Sequence, residues 1–349
     1  MEKEIMQHKT FFAEVELIFV VGTARSGTTL MSKILGNIPD AYSPGESHFF
    51  EDIWSRRNEI GELTNSASLE VAVQRMMAIY GRYHFKETQG VVDSKLDSKE
   101  IVQQISHDGG NYASLYHTFM VNLAIAQNKT LICDDTPRHL FYLPTILSWF
   151  PTAKVIACVR DPRDFLSSYK HYWRRSEDSE RMKALYHPVT ISLLWRSSNN
   201  LLAKALQQYN QSQILLVQYE NLVKQPQEVL QNVCDFLDVK YSNNLLFVDT
   251  QNSSFLPDID KAYGIFDTSV GKWQKGLESH EVWWVQLLTG HLMQYFDYAE
   301  LPINPSWVKI LATLFQAPRH LVIGLGANRE KRGPLLKYLW RRLLPLIRR

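Results

Sequence analysis

The stretch FVVGTARSGTTLMSKIL, residues 19–35, restricts what this chain can become more than any other. An apolar, β-branched run ends in glycine, a short polar loop follows, and helical spacing begins at once. Gly22 and Gly27 hold the spacing of the phosphate-binding loop G-x-x-x-x-G-K-[ST], but Thr28 stands where that loop has lysine, with Thr29 after it. The anion cradle survives the change, because backbone N–H groups at a helix N-terminus still face a negative group and glycine still lets it approach. Thr28 and Thr29 add hydroxyl donors, Ser26 lies beside Gly27, and Arg25 supplies a cation from inside the loop. What is missing is the lysine that reaches a γ-phosphate. Magnesium-linked triphosphate chemistry is therefore disfavoured, and a shorter anionic group is expected.

The rest of the chain alternates strands with helices. VELIFVVG, TLICDD, AKVIACVR and QILLVQYENL read as strands. TLMSKILGNI, LEVAVQRMMAIYGRY, YASLYHTFMVNLAIAQN, LPTILSWF, SLLWRSSNNLLAKALQQY and the proline-opened PQEVLQNVCDFLDV read as helices. That alternation predicts an α/β fold, a P-loop-type parallel sheet flanked by helices, whose ligands bind beyond the carboxyl ends of the strands. Gly22 to Thr29, Arg160, and Tyr219 with Glu220 fall at such ends. Residues 52–125 are largely helical and interrupt the alternation, as an insertion that serves as an acceptor lid or as extra structural helices. One domain over residues 1–305 and a basic amphipathic helical tail over 306–349 are expected.

A formal net charge of +2 gives no global field for nucleic acid. The three cysteines, Cys133, Cys158 and Cys234, stand too far apart for a metal motif and leave an odd thiol, as suits a reducing cytosol. No metal is expected from them or from the scattered histidines. The opening MEKEIMQHKTFFAEVE is too charged for a signal peptide, and no apolar run reaches the ~18 residues of a membrane-spanning helix. A cytoplasmic protein is expected, peripheral to a membrane if its tail binds one.

A second anion site is visible in RDPRDFLSSYKHYWRR. Arg160 ends a strand, Asp161-Pro162 starts a helix, and Ser168 sits roughly two turns into it. A strand-end arginine and a helix serine can grip one phosphate together. Taken alone, Arg160 reads equally as one half of a surface ion pair.

In that order, RSGTTLM, PGESHF, TPRHLFYLPTILSWFPTAKVIACVRDPRDFLSSY, VQYENLVKQPQEVLQNVCDFLDV and SVGKWQKGL resemble the sulfotransferases that use 3′-phosphoadenosine-5′-phosphosulfate (PAPS). The similarity covers roughly residues 15–300. It is strongest to the bacterial, carbohydrate and tyrosylprotein branches, whose loop reads R-S-G-T-T. By this resemblance PAPS is the sulfuryl donor and no metal takes part. Arg25, Ser26, Gly27, Thr28 and Thr29 then cradle the 5′-phosphosulfate, and Arg160 with Ser168 takes the 3′-phosphate. Tyr219 matches a family tyrosine near the adenine, or is a buried structural tyrosine. Gly271, Lys272 and Trp273 match the late loop that closes over the nucleotide, where the tryptophan either stacks or packs.

Sulfuryl transfer builds negative charge on the departing oxygen, so a cation is needed there, and the acceptor hydroxyl needs a base within hydrogen-bond reach. Arg25 is the candidate cation. Glu46, in SPGESHFF, resembles the glutamate base of the R-S-G-T-T branches, with His48 a weaker candidate that helps shape the pocket. Lys95 is a further cation candidate, or a surface lysine. One departure stands out. Many relatives carry lysine before the T-P of TPRH, whereas this chain has CDDTP, with Asp134 and Asp135. An aspartate there cannot stabilise a leaving oxygen and is expected to repel an anionic donor, unless Arg138, His139 or Lys95 compensates or the acceptor is cationic there.

Residues 331–349, KRGPLLKYLWRRLLPLIRR, hold seven Lys or Arg and no acid. Beyond the resemblance, they predict contact with an anionic membrane surface or an acidic partner, or a docked helix with a solvated basic face. The acceptor is expected to be a hydroxyl of a small molecule, a carbohydrate or a lipid, with a peptide tyrosine also left open. The other readings left open are a P-loop kinase and a PAPS-binding or PAP-binding protein without turnover (PAP is 3′-phosphoadenosine-5′-phosphate).

Overall fold

The computed structural model of the protein describes residues 15–84, 96–171, 179–249 and 263–327. Lys95 and the tail 331–349 therefore lie outside the described residues. Five parallel strands form one sheet: β1 (Glu16–Gly22), β2 (Ala41–Gly45), β3 (Leu131–Asp134), β4 (Lys154–Val159) and β5 (Ile214–Gln218), in the spatial order β2-β3-β1-β4-β5. Strand β1 is central because it is apolar on both sides. Leu17, Phe19 and Val21 enter the core on one face of the sheet, and Ile18 and Val20 enter the core on the other. A strand covered on both faces reads as an unbroken hydrophobic run, which is how β1 appears in the sequence.

The helices follow from the spacings. They are α1 (Thr28–Leu35), α2 (Phe49–Asp52), α3 (Ser66–His84), α4 (Ser98–His107), α5 (Tyr112–Ala126), α6 (Leu143–Trp149), α7 (Pro162–His171), α8 (Ser179–Leu185), α9 (Pro188–Gln208), α10 (Tyr219–Lys224), α11 (Pro226–Leu237), α12 (Trp273–Gly276), α13 (Ser279–Tyr295) and α14 (Trp307–Ala327). Proline occupies an opening position of α6, α9 and α11, where its missing N–H costs nothing. Between β2 and β3 the described chain is helical, from α2 to α5.

Two elements differ from the sequence reading. Strand β2, AYSPG, has no apolar run. It is an edge strand whose pairing with β3 shifts register between Tyr42 and Gly45, and an edge position tolerates its proline. The run QILLVQYENL is a strand only as far as Gln218, and Tyr219 opens α10.

The topology fixes the site. From β1 the chain moves to one side of the sheet through β2 and β3, then crosses to the other side at β4. A parallel sheet opens a crevice at such a reversal, beyond the carboxyl ends of the strands. The loops after β1, β3, β4 and β5 all lie at that end. Among the described residues no helix is long and apolar enough to cross a membrane.

Candidate active site

The loop from β1 to α1 is held by close approach. A Cβ on Gly22 would lie 2.4 Å from the carbonyl oxygen of Cys158 on β4. Gly27 precedes α1 with φ 96°, and a Cβ there would lie 2.7 Å from the ring of Tyr219. Glycine at both places lets the loop fold back on β4 and α10. Arg25 also adopts a positive φ, 75°, which turns its neighbours' backbone toward the helix N-terminus. Ser26 and Thr28 are buried and Thr29 is exposed. Asn199 of α9 steadies the loop by donating to Thr23 Oγ1 at 3.1 Å.

Arg160 follows β4 and links the site together. One of its terminal nitrogens donates to the Arg25 carbonyl at 3.2 Å and the other to the Ser269 carbonyl at 2.8 Å. Its guanidinium carbon sits 4.4 Å from the centre of the Tyr219 ring. Its own carbonyl accepts from the indole of Trp195 at 2.9 Å, which anchors the strand end from α9. Arg25 Nε donates to Ser168 Oγ on α7 at 3.2 Å. The first loop, the Arg160–Ser168 pair, Tyr219 and the late loop therefore meet in one place.

The late loop is pinned by a residue that sequence reading passed over. Asp164, four positions after Arg160 in RDPRD, accepts from the Gly271 N–H at 2.7 Å and from the Trp273 N–H at 3.0 Å. Burial pushes its carboxyl up, against the pull of Arg160 and of these two amides. Trp273 is buried, with the Arg163 guanidinium 4.5 Å from its ring centre, and Arg163 is in turn ion-paired with Asp161 at 2.7 Å. Glu220 ties the β4 and β5 ends together, accepting from the Asp161 N–H at 3.0 Å and the Tyr298 hydroxyl at 2.9 Å. The signal for these supports was the acid-rich spacing RDPRD and the YEN of VQYEN.

Burial and the neighbouring Arg160 lower the Lys272 ammonium from its ordinary value, against the pull of Asp164. Cationic side chains thus converge at the ends of β1 and β4. Two buried polar atoms there, Ser26 Oγ and Arg160 Nε, have no hydrogen-bond partner among the described residues. Orphaned buried donors are rare, and these two fit a ligand with negative oxygens at both places.

On the other side of β1, Glu46 Oε2 accepts from His48 Nε2 at 2.9 Å. Burial alone pulls the His48 imidazole down. The hydrogen bond and charge of Glu46, with Glu51 and Asp52 behind it, outweigh burial and raise it. His48 itself has φ 49°, a left-handed turn that carries the chain from β2 into α2.

The two aspartates of CDDTP play different parts. Asp134 is fully enclosed, held by the hydroxyls of Ser47, Thr136 and Tyr116 with His139 alongside. Burial opposes its charge, but His139 and those hydroxyls prevail and keep its carboxyl below the usual range. Asp135 is also buried, and its Oδ1 has no partner among the described residues. Burial first, then the charges of Glu46 and Asp134, push it up to about 8, against a hydrogen bond from Ser32 of α1. A carboxyl shifted that far is mostly protonated at neutral pH. That shift lessens the repulsion of an anionic donor expected from the sequence. Arg138 is engaged by Glu51 at 3.1 Å, and His139 is enclosed between Glu51 and Asp134.

Comparison with known proteins follows the same outline. The family model described as "Sulfotransferase family" matches residues 17–243. A putative protein-tyrosine sulfotransferase of Caenorhabditis briggsae is 26% identical over 235 residues, 66% of this chain and 68% of that protein. Nodulation protein NoeE of Sinorhizobium fredii is 25% identical over 228 residues, 62% of this chain and 48% of that protein, so the match spans about half of the latter. The sulfotransferase domain of the Synechococcus PCC 7002 olefin synthase shares the fold, with a TM-score of 0.52 at 23% identity over 83% of this chain and 97% of that domain.

Proposed function

The chain belongs to the sulfotransferase family, and on that premise we propose that it transfers a sulfuryl group from PAPS to a hydroxyl of a carbohydrate, lipid or small-metabolite acceptor. The observation that carries the choice of donor is the pair of orphaned buried donors, Ser26 Oγ and Arg160 Nε, flanking the contact between Arg25 and Ser168. A ligand phosphorylated at both its 5′ and 3′ positions offers negative oxygens to both.

Each residue then has a distinct task. Ser26, Gly27, Thr28 and Thr29 hold the 5′ end at the N-terminus of α1, where backbone N–H groups and the helix dipole favour an anion. Arg160 and Ser168 hold the 3′-phosphate with charge-assisted hydrogen bonds. Tyr219 lies against Gly27 and Arg160, on the nucleotide side of the loop. Gly271, Lys272 and Trp273 close that side, with Asp164 fixing their backbone. The donor, when bound, supplies the sulfuryl group. Arg25 stabilises the oxygen that leaves, an interaction worth most when charge has built there. Glu46 takes the proton from the acceptor hydroxyl, and His48 orients the Glu46 carboxylate. Asp135, neutral near pH 7, leaves the region between Glu46 and α1 free of a second negative charge. The helices between residues 52 and 125 are assigned to the acceptor side, since Glu46 and His48 lead straight into them.

The test is transfer of labelled sulfate from PAPS into a cell extract, with mass spectrometry of the labelled product. A labelled hydroxyl product formed by the wild type and absent with Glu46→Gln supports the reading. Labelling from ATP but not from PAPS rejects it.

A further inference from the structure

We propose that the outward face of α14 docks this protein on an anionic lipid surface. The proposal is independent of the identity of the donor. Helix α14 packs inward through Ile310 and Thr313, both buried, and its Thr313 carbonyl meets His187 Nε2 at 3.1 Å. Its other side is apolar, and Trp307 there stands edge-on to the Trp283 ring of α13, 6.1 Å between centres. Trp307, Val308, Leu311, Leu314, Phe315 and Val322 are exposed, with Phe315 at 81% and Val308 at 78%. At ~100° per residue these six fall within roughly 120° of the helix circumference, a continuous stripe exposed along its length. Single exposed apolar residues are ordinary on a soluble surface, but an aligned stripe carrying Trp and Phe marks an interaction surface.

Charge selects the occupant. Helix α14 contains no acidic residue; Arg319 is exposed at the edge of the stripe, while Lys309, on the flank away from it, is ion-paired with Glu278. The chain continues from its end into residues 331–349, with seven Lys or Arg, no acid, and Leu, Tyr and Trp between them. An apolar face with aromatic residues, bordered and followed by cations, matches the interface of an anionic bilayer. There the stripe enters the acyl boundary and each cation near the surface gains from the negative potential. A second copy of the chain would bring the same basic segment against itself, and an acidic protein partner gives no reason for so apolar a stripe.

The test is co-sedimentation of the full chain with vesicles at low salt. One set is phosphatidylcholine alone and the other contains about 30% phosphatidylserine. The charged vesicles are expected to bind at least about tenfold more tightly, with a strong loss in high salt. The double variant Val308→Glu/Phe315→Glu, at the two most exposed positions of the stripe, is expected to lose at least about tenfold of that binding, with its melting temperature and its affinity for PAP unchanged. Binding to neither vesicle, or binding that ignores the variant, overturns the proposal. So does a wild-type dimer that the variant disperses, which makes a second copy the occupant. A clear drop in melting temperature in the variant also overturns it, because the stripe would then be covered by this chain's own residues.

Discussion

Arg25 and Ser168 are 143 positions apart in sequence, yet Arg25 Nε donates to Ser168 Oγ at 3.2 Å. That contact joins the loop after β1 to helix α7, and so joins the two candidate anion grips that the sequence shows separately. Ser168 is fully buried in the middle of this junction. Replacing it with alanine removes one hydrogen bond to a charged group, worth about 1.5–3 kcal/mol. Ser168→Ala is therefore expected to weaken PAP about ten- to hundredfold in calorimetry, while leaving ADP, which lacks the 3′-phosphate, nearly unchanged.

Glu46 and His48 give a separate prediction about chemistry. Glu46→Gln keeps the shape and the hydrogen bond to His48 but removes the base. Turnover should fall at least ~100-fold, with PAP affinity unchanged. Full turnover in this variant takes Glu46 out of its role. His48→Asn is the appropriate companion, since asparagine tolerates the 49° φ at that position better than alanine. It should lower turnover less than Glu46→Gln does.

Asp135 predicts a pH dependence with a definite sign. Its carboxyl ordinarily titrates at 3.8 and is pushed up to about 8 in the folded protein. The native state holds a proton that the unfolded chain has lost over that interval. Stability from this group is full below pH 3.8, falls as pH rises, and is gone above about 8. The slope is at most about 1.4 kcal/mol per pH unit. Asp135→Asn should flatten this part of the curve and raise the melting temperature most at pH above 8. Donor binding should follow, because above that pH an ionised Asp135 stands near the loop. PAP affinity is expected to weaken as pH rises through about 8 in the wild type and not in Asp135→Asn. Glu46→Gln should shift the midpoint down, since the Glu46 charge helps hold it up.

The approach of Tyr219 to Gly27 gives a packing prediction. A methyl group at Gly27 meets the Tyr219 ring at 2.7 Å and needs φ 96° besides. Gly27→Ala should destabilise the protein by about 1–3 kcal/mol from the backbone alone, more with the clash. Adding Tyr219→Ala removes the clash and leaves the backbone cost. Denaturant unfolding of the single and double variants should therefore show a coupling of at least ~0.5 kcal/mol. Simple additivity contradicts the contact.

The candidate site was legible where residues act through local chemistry, and hidden where they act through the fold. Gly22, Gly27 and the Arg160–Ser168 spacing are short-range patterns, and the chain declares them. Strand β2 was not visible, because an irregular edge strand of AYSPG has neither alternation nor an apolar run. Asp164 was passed over because its partners, the amides of Gly271 and Trp273, are 107 and 109 positions away. Asp135 was read with its ordinary charge, because only burial and the approach of Glu46 reveal that it is neutral. Arg138 and His139 were read as compensating cations, yet Arg138 is paired with Glu51 and His139 is enclosed between Glu51 and Asp134, a closure that depends on α2 reaching the end of β3.

The most direct measurement is calorimetric titration of the wild-type protein with PAP and, in parallel, with ADP. Arg160, Ser168 and the loop at Ser26 gripping one nucleotide at both its phosphates requires PAP to bind at least about tenfold more tightly than ADP, without added magnesium. ADP binding as tightly as PAP, or more tightly, would contradict it.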